Sequence, residues 1–320
     1  MNDSVLNFDP APPRGPASIA VSVCTYRRNE PLKRVLESLD GAAAVVQPSI
    51  EIAVVVVDDN PDGRARPIVE EFTGSFVLGL HYEFSGSENI SVARNTGLEL
   101  AMRLADWVAM IDDDQVADPN WLLTLADVQR ATGADAVTGT VLLRYPSHAP
   151  AWILEQPFAE FFDAPIAPDR SRVDTCSTGN SLLRSRFLEA HPDLRFQPEF
   201  GRTGGEDMVF YRLAIAAGLD ARFSTGSICH HEPSGERLTY RSQLRAAHWL
   251  GNSDFLTNHE TGVTRARLTA RAGRRLLNAA RRPVVNLLAG KPPQWRFTGA
   301  LLAHALGMLV GSAGIRIRHV

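Results

Sequence analysis

The chain has 320 residues, of which 44% are hydrophobic and 22% charged, so it can bury the core of one large domain or of one domain with an appendage. Its three cysteines lie far apart without CxxC spacing, which argues against a disulfide framework or a zinc knuckle and favours a reducing, cytoplasmic compartment. The formal net charge is only −3, and we expect no nucleic-acid partner.

Strands and helices alternate from the first apolar segment onward. Residues 1–17 contain four prolines and no apolar core for a secretory signal, so we predict a disordered leader. Residues 18–25 form a short β-branched run, and residues 31–39 have the apolar spacing of a helix. The continuous apolar run at 50–57 (IEIAVVVV) is typical of a strand buried on both faces of a parallel sheet.

The same alternation continues along the chain. Further strands are predicted at 79–84, 107–111, 136–144 and 221–229, and helices at 91–103, 119–132 and 206–217. This order predicts an α/β fold with an open, doubly wound, mostly parallel, Rossmann-like sheet whose ligands bind at the carboxyl ends of the strands. Residues 145–170 lack a clean period and are predicted to be a long loop or lid. We favour ordinary packing over stacking on an acceptor sugar or contact with a lipid carrier for its aromatic residues, Trp152, Phe158, Phe161 and Phe162. We expect a catalytic domain at 18–240 and a helical basic tail at 241–320.

Asp112-Asp113-Asp114 follows the apolar strand WVAMI and concentrates negative charge at one strand end. Carboxylate oxygens together with diphosphate oxygens are what Mg²⁺ or Mn²⁺ prefers in a nucleotide site, so the triplet predicts a divalent cation. A solvated acidic turn is the alternative. His230 and His231 follow the last strand and would reach the same edge, where one of them is a candidate third ligand; an exposed histidine is as common.

Glu206-Asp207 opens a helix after two glycines, which allow a ligand to approach closely. A carboxylate at that place can accept a proton from a reacting hydroxyl. Acidic residues also stabilise helix N-termini, so this pair taken alone indicates a capping feature. Its occurrence together with the aspartate triplet favours the catalytic interpretation.

These motifs, taken in order, resemble glycosyltransferase family 2, the inverting enzymes of the GT-A fold, and more loosely its bacterial exopolysaccharide branch with succinoglycan-type transferases. Any one segment is a weak match, whereas the ordered set is specific. The matching segments are SVCTYRRNEPLKRVLESL (22–39), VVVVDDNPDG (54–63), ISVARNTGLELA (90–101), WVAMIDDDQVADPNWL (107–122), STGNSLLRSRFL (177–188) and GGEDMVFYRLAIAAG (204–218).

The resemblance implies roles for individual positions. It implies a nucleotide pocket formed by Thr25, Tyr26 and Arg28, with Asp58 or Asp59 recognising the base. It also implies nucleotide or diphosphate contacts from Arg94 and Asn95. In the same way Asp112 and Asp114 match the DxD pair that contacts the ribose and the metal, and Asp207, with Glu206 beside it, matches the general base.

The implied reaction moves one sugar from a nucleotide-sugar donor to an acceptor hydroxyl, with a lipid-linked saccharide as the expected acceptor. The QxxRW element of processive synthases is absent, since the chain has QLRAAHW at 243–249, so we favour single transfer over polymerisation. A nucleotidyltransferase, which releases pyrophosphate, and a non-catalytic saccharide-binding protein remain as alternatives. An oxidoreductase is a poor alternative because CTYRRNE replaces a GxGxxG turn after the first strand.

The tail is strongly basic. After Glu260 there are eleven Arg or Lys and no Asp or Glu, whereas the preceding residues hold 22 basic and all 36 acidic residues. This asymmetry favours contact with an anionic membrane surface, on the cytoplasmic face of the inner membrane; solvated arginines on a packed helical appendage are the alternative. The uncharged stretch 297–315 is diluted by glycine, so we favour an interfacial or docked helix over a span. The arginines expected at the lipid are Arg271, Arg274, Arg275, Arg281 and Arg282.

Overall fold

The computed structural model describes residues 17–47, 49–158 and 166–318, so the predicted leader lies outside the described residues except for Ala17. The strands are β1 (Ser18–Thr25), β2 (Glu51–Asp58), β3 (Leu80–Phe84), β4 (Trp107–Met110), β5 (Gln115–Ala117), β6 (Ala136–Leu143), β7 (Ser181–Arg184) and β8 (Ala221–His231). The helices are α1 (Asn29–Val46), α2 (Arg66–Glu70), α3 (Ile90–Leu104), α4 (Trp121–Thr132), α5 (Ala151–Leu154), α6 (Ser185–Ala190), α7 (Glu206–Ala216), α8 (Tyr240–Glu260), α9 (Arg265–Leu288) and α10 (Trp295–Ser312).

The strands form one sheet in the order β3-β2-β1-β4-β7-β6-β8-β5. β1 runs parallel to β2 and β4, and β2 runs parallel to β3, which confirms the predicted α/β sheet in this half. β7 is antiparallel to both β4 and β6, and β5 is antiparallel to β8, so the other half is mixed. The sequence did not predict β5 or β7, because three or four residues are too few to establish an apolar period.

β2 shows why a continuous apolar run indicates a strand covered on both faces. Alternate residues of a strand point to opposite faces. Val54 and Val56 therefore pack with α1 and α4 on one face, while Val55 and Val57 pack with α3 and α7 on the other. All four valines are fully buried. Both faces of the sheet are thus occupied by packing, and the strand ends remain as the place for polar groups.

The C-terminal helices pack on the sheet domain and on one another. α10 crosses α8 at Gly251 and Gly307, where an added Cβ would run into the backbone carbonyl of His304 or of His248. The fully buried Asn252 accepts a hydrogen bond from the backbone of Ile317 at 2.9 Å and so ties the end of the chain to α8. α10 is therefore docked, as the sequence predicted. No helix in the described part of the chain has the length and apolarity needed to cross a membrane.

The irregular segment 145–170 packs against these helices through aromatic side chains. Trp152 meets Phe158 edge to face at 5.2 Å between ring centroids, and Phe158 meets Phe297 of α10 at 5.4 Å. Trp152 also meets Tyr240 of α8 at 5.8 Å. Ordinary packing, which the sequence favoured for Trp152 and Phe158 over stacking on a sugar, is confirmed. The other two aromatic residues of that prediction, at 161 and 162, lie outside the described residues.

Candidate active site

The carboxyl ends of β1, β2 and β4 meet at one edge of the sheet, and β8 ends beside them. The edge borders a cleft of about 1430 Å³. Tyr26, Arg28, Asp114 and His231 line this cleft, together with the first turns of α8. Because parallel strands bring their carboxyl ends to a common edge, residues far apart in the sequence become neighbours there. Of the predicted site residues, Tyr26, Arg28, Asp114 and His231 therefore come together at this edge.

The aspartate triplet is divided between two sets of partners. Asp113 is buried and accepts hydrogen bonds from the Thr25 hydroxyl at 2.8 Å and from the Arg28 guanidinium at 2.9 Å. The same guanidinium nitrogen donates to Asp114 at 2.8 Å. Burial raises the pKa of Asp113 to about 6, although the charge of Arg28 opposes the shift. Asp113 thus anchors Thr25 and Arg28, two residues of the predicted nucleotide pocket, and does not face the cleft.

Asp114 is surrounded by positive groups. In addition to Arg28, its carboxylate lies 3.2 Å from Nδ1 of His231 and 3.1 Å from the guanidinium of Arg237. Burial alone would raise the pKa of Asp114, but the hydrogen bond from His231 and the charges of His231, Arg28 and Arg237 outweigh it and lower the pKa. Asp114 is therefore held as a carboxylate at the border of the cleft.

Asp112 belongs to a second network, in which Arg94 is the central residue. The Arg94 guanidinium donates to Asp112 at 3.0 Å through one nitrogen and to Glu206 through the other. The Arg94 side chain is only 12% exposed, so this contact is shielded from water. Arg94 thereby links the triplet to the first residue of α7, two elements that are 94 positions apart in the chain.

Glu206 and Asp207 begin α7, and burial shifts the pKa of both. Burial raises the pKa of Glu206 to about 7, with the charge of Arg94 opposing the shift and Asp207 adding to it. Burial also raises the pKa of Asp207, and the charge of Arg94 again opposes it. Asp207 accepts a hydrogen bond from the Met208 amide at 2.7 Å. Oε2 of Glu206 is buried and has no hydrogen-bond partner among the described residues.

The loop before α7 is fixed by α8. Gly204 and Gly205 have φ values of +78° and +86°, a backbone region that favours glycine. A Cβ at Gly204 would collide with the Trp249 ring, and the Ser253 hydroxyl donates to the Gly204 carbonyl at 2.9 Å. Both the backbone conformation and the close contact with α8 therefore require glycine at these two positions. The contact with α8 fixes the loop and thereby the position of Asp207.

Asp58 and Asp59, predicted to recognise the base, are both buried and satisfied within the protein. Asp58 accepts hydrogen bonds from the backbone of its own loop and from the Tyr82 hydroxyl at 3.0 Å. Asp59 accepts from the Ser85 hydroxyl at 2.6 Å and from the Asn89 amide at 2.7 Å. Both carboxylates shape the loops that border the site, and base recognition by either one stays a prediction.

Two further predicted contacts also have internal partners. Asn95 uses both ends of its amide on the backbone of Phe196, at 2.8 and 2.9 Å. The Tyr26 hydroxyl donates to Glu88 at 2.8 Å, and this hydrogen bond is the first cause of a raised pKa of Tyr26. Tyr26 is more than a third exposed and lines the cleft, so its ring is free to meet a ligand, whereas Asn95 supports the backbone.

The side-chain donor atoms at Asp114 suit a divalent cation whose remaining coordination positions are filled by a bound ligand. Among the described residues no group of three or more His, Cys, Asp or Glu surrounds a single metal position. Asp114 and His231 nevertheless bring a carboxylate oxygen and an imidazole nitrogen together at the cleft. Mg²⁺ in nucleotide sites takes one or two carboxylates and fills its remaining positions with phosphates and water. Asp114 and His231 are donors of the kinds that such a cation takes, and Arg28 and Arg237 hold the same carboxylate. His230 lies one residue earlier on β8 and points to the other face.

Sequence reasoning missed Arg237 and the role of Asn180. Arg237 lies in a short 3-10 helix, Gly235–Leu238, whose Pro-Ser-Gly approach indicates a turn but not its direction. Asn180 is fully buried, accepts from the Trp121 indole at 2.8 Å and donates to the backbone of β6 and β8. The motif STGNSLL carries this residue, and its neighbour Gly179 leaves room for Asp112.

Solved structures of similar fold agree with this architecture. The crystal structure of S. aureus TarS 1-349 in complex with UDP-GlcNAc aligns with a TM-score of 0.52 at 13% sequence identity, covering 93% of this chain and 92% of that one. TarS 1-349 in complex with UDP aligns with a TM-score of 0.51 at 14% identity, covering 94% and 93%. At such low identity the likeness shows the fold alone. The fold is the α/β GT-A fold.

Sequence comparison then gives the family. Residues 20–191 match the family model described as glycosyl transferase family 2. The succinoglycan biosynthesis protein ExoM of Rhizobium meliloti (strain 1021) is 33% identical over 252 residues, which are 79% of this chain and 75% of that protein. A glucosyl-dolichyl phosphate glucuronosyltransferase of Haloferax volcanii is 28% identical over 243 residues, 72% of this chain and 69% of that protein. The chain therefore belongs to glycosyl transferase family 2 and is a glycosyltransferase.

Proposed function

We propose that this glycosyltransferase moves one sugar from a nucleoside-diphosphate sugar to an acceptor hydroxyl and inverts the anomeric configuration. The observation that carries the proposal is the Arg94 bridge, because it joins the strand-end carboxylate Asp112 to the helix that bears Asp207. A donor-binding acid and a proton-accepting acid thus lie on one rigid connection. Such a connection suits a reaction in which the leaving group departs from the anomeric carbon while a proton is removed from the oxygen that attacks this carbon.

In the proposed reaction the acceptor oxygen attacks the anomeric carbon from the face opposite the diphosphate. The bond between that carbon and the diphosphate oxygen breaks, and the nucleoside diphosphate leaves with the electron pair. Asp207 takes the proton of the acceptor hydroxyl. The charge of Arg94 favours the carboxylate forms of Asp207 and Glu206, because it opposes the effect of burial on the pKa of both.

Thr25, Tyr26 and Arg28 are proposed to border the nucleotide, and Asp112 and Asp114 to hold the donor. We propose Mg²⁺ or Mn²⁺ as the cofactor, held by Asp114 and His231 with Asp112 nearby. When bound, the cation would offset the charge that develops on the departing diphosphate. Arg28 and Arg237 already face the same place with two positive charges, and they would bind diphosphate oxygens there.

The biological setting is inferred from relatives. Similarity to a succinoglycan biosynthesis protein and to a glucuronosyltransferase that acts on a dolichyl phosphate glucoside supports a role in exopolysaccharide or cell-surface glycan synthesis, with a lipid-linked saccharide as the acceptor. We propose that residues 18–240 form the catalytic unit. Residues 241–320 would then support the loop before Asp207 and attach the enzyme to the cytoplasmic face of a membrane.

A panel of nucleotide sugars tests the proposal, with Mg²⁺ and Mn²⁺ present and the released nucleotide as the readout. Release of a nucleoside diphosphate is expected, whereas pyrophosphate would identify a nucleotidyltransferase and no turnover of any donor would favour a saccharide-binding protein. In Asp207→Asn we expect donor binding to persist while transfer falls by about two to four orders of magnitude. Asp127→Asn, an exposed aspartate on α4, is the matched control; near-normal transfer by Asp207→Asn removes that residue from the mechanism.

A further inference from the structure

The solvent-facing side of α9 and the start of α10 expose large apolar side chains. Leu288 is 85% exposed, Leu277 66% and Trp295 63%. Val284, Val285 and Leu287 are each more than half exposed as well. Single exposed apolar residues are normal on a protein surface, but a contiguous group of this kind marks an interaction site.

The distribution on α9 is the reverse of that expected for a helix that only packs on its own protein. The buried side carries mostly small residues, Ala272, Ala279 and Pro283, together with Leu268. The larger residues Leu277, Val284 and Leu288 are spaced by seven and four positions and fall within about 40° of one another on the outer side. The outer side is therefore built to contact something other than the described residues.

Basic residues flank this apolar stripe, and no acidic residue follows Glu260. Arg274 and Arg281 are exposed next to the stripe, and Lys291 is exposed in the turn between α9 and α10. The three other arginines of the predicted set are less exposed: Arg271 is half-buried, Arg275 pairs with Asp254 at 3.0 Å, and Arg282 donates to the side-chain oxygen of Gln294. Arg274 and Arg281 are therefore the arginines of the predicted set that we expect at the lipid.

We propose that this α9–α10 face, formed by Leu277, Val284, Leu287, Leu288 and Trp295 with Arg274, Arg281 and Lys291, docks on an anionic phospholipid surface. Apolar side chains and a tryptophan enter the interface, while Arg and Lys meet the headgroup phosphates. A second copy of the chain would bring the same positive charge to this face, which disfavours self-association. The inference concerns where the enzyme works and does not depend on the proposed reaction.

The test uses the full chain and phospholipid vesicles, without donor or acceptor. Binding is expected to vesicles that mix phosphatidylglycerol with phosphatidylcholine, to weaken at high salt, and to be much weaker with phosphatidylcholine alone. Quenching of Trp295 fluorescence by brominated lipids should accompany binding and should be lost in Trp295→Phe. Equal binding to both lipids, no binding to either, or quenching that persists in Trp295→Phe would overturn the proposal.

Matched variants separate the two contributions. Arg274→Gln combined with Arg281→Gln should weaken vesicle binding about thirtyfold, while Arg103→Gln with Arg186→Gln, exposed arginines elsewhere, should leave it unchanged.

For the apolar stripe, Val284→Ser combined with Leu288→Ser should weaken vesicle binding at least tenfold. Val77→Ser with Leu154→Ser is the control, with the same two residue types on other exposed surfaces. Circular dichroism and donor hydrolysis should match the native chain in all four double variants. Equal losses in tail and control variants, or a dimer in lipid-free sedimentation that Val284→Ser with Leu288→Ser dissociates, would contradict lipid docking.

Discussion

Arg94→Gln tests whether Arg94 keeps the catalytic carboxylates ionised. Its guanidinium contacts Asp112 at 3.0 Å and Glu206 directly, and it opposes the raised pKa of Asp207. A positive charge at such distances lowers a carboxyl pKa by about 1–3 units. Its removal disfavours the charged form, so the pKa of the base rises. We therefore expect the acidic limb of the kcat/KM profile to move to higher pH, with activity recovering at alkaline pH.

The assay is transfer to a saccharide acceptor across pH, with donor KM determined at each point. Each unit by which the base pKa exceeds the assay pH lowers the rate about tenfold. Arg94→Lys keeps the charge and should shift the limb less, and Arg103→Gln, exposed on the same helix, should not shift it. A higher donor KM with an unmoved acidic limb would refute this reasoning and support the diphosphate contact that the family resemblance implies for Arg94.

Three other changes follow from the same contacts. Asp114→Ala should abolish metal-dependent donor binding, measured by calorimetry, with the thermal unfolding midpoint retained; full activity together with insensitivity to chelators would disprove the metal assignment. Glu206 has a pKa of about 7 in the folded chain and an ordinary value of 4.5, so the native state binds the extra proton between these pH values and loses stability as pH rises. Glu206→Gln should therefore raise the free energy of unfolding by about 3 kcal/mol at pH 8, with the gain shrinking towards pH 5 in urea titrations; a pH-independent difference would count against this. Gly307→Val should destabilise the fold by about 3 kcal/mol because α8 and α10 touch at this position. Gly273→Ala should not destabilise the fold, because the space around Gly273 is open. Equal unfolding midpoints for the two variants would show that the contact between α8 and α10 is unimportant.

The sequence by itself determined the fold class and the edge at which the site lies. The run at 52–57 has no polar position, and only a strand covered on both faces buries every residue of such a run. The acidic residues after β2 and β4 then had to lie at the carboxyl ends of parallel strands. The ordered motifs indicated the family, and Gly204-Gly205 before Glu206 indicated a close approach at α7. Each of these signals is local, so each can be seen without knowing what packs against it.

Only the tertiary structure decided how the polar groups are paired. The sequence around Arg94 is compatible both with a diphosphate contact and with the observed bridge between Asp112 and Glu206. Partners so far apart in the chain leave no local pattern that would distinguish the two. In the same way Asp58 proved to be satisfied inside its own loop, and Arg237 entered the site through a turn whose direction sequence does not encode. Hydrogen bonds and ion pairs form between surfaces that folding brings together, and the periodicity of a single segment records which side it buries but not which residue it meets there.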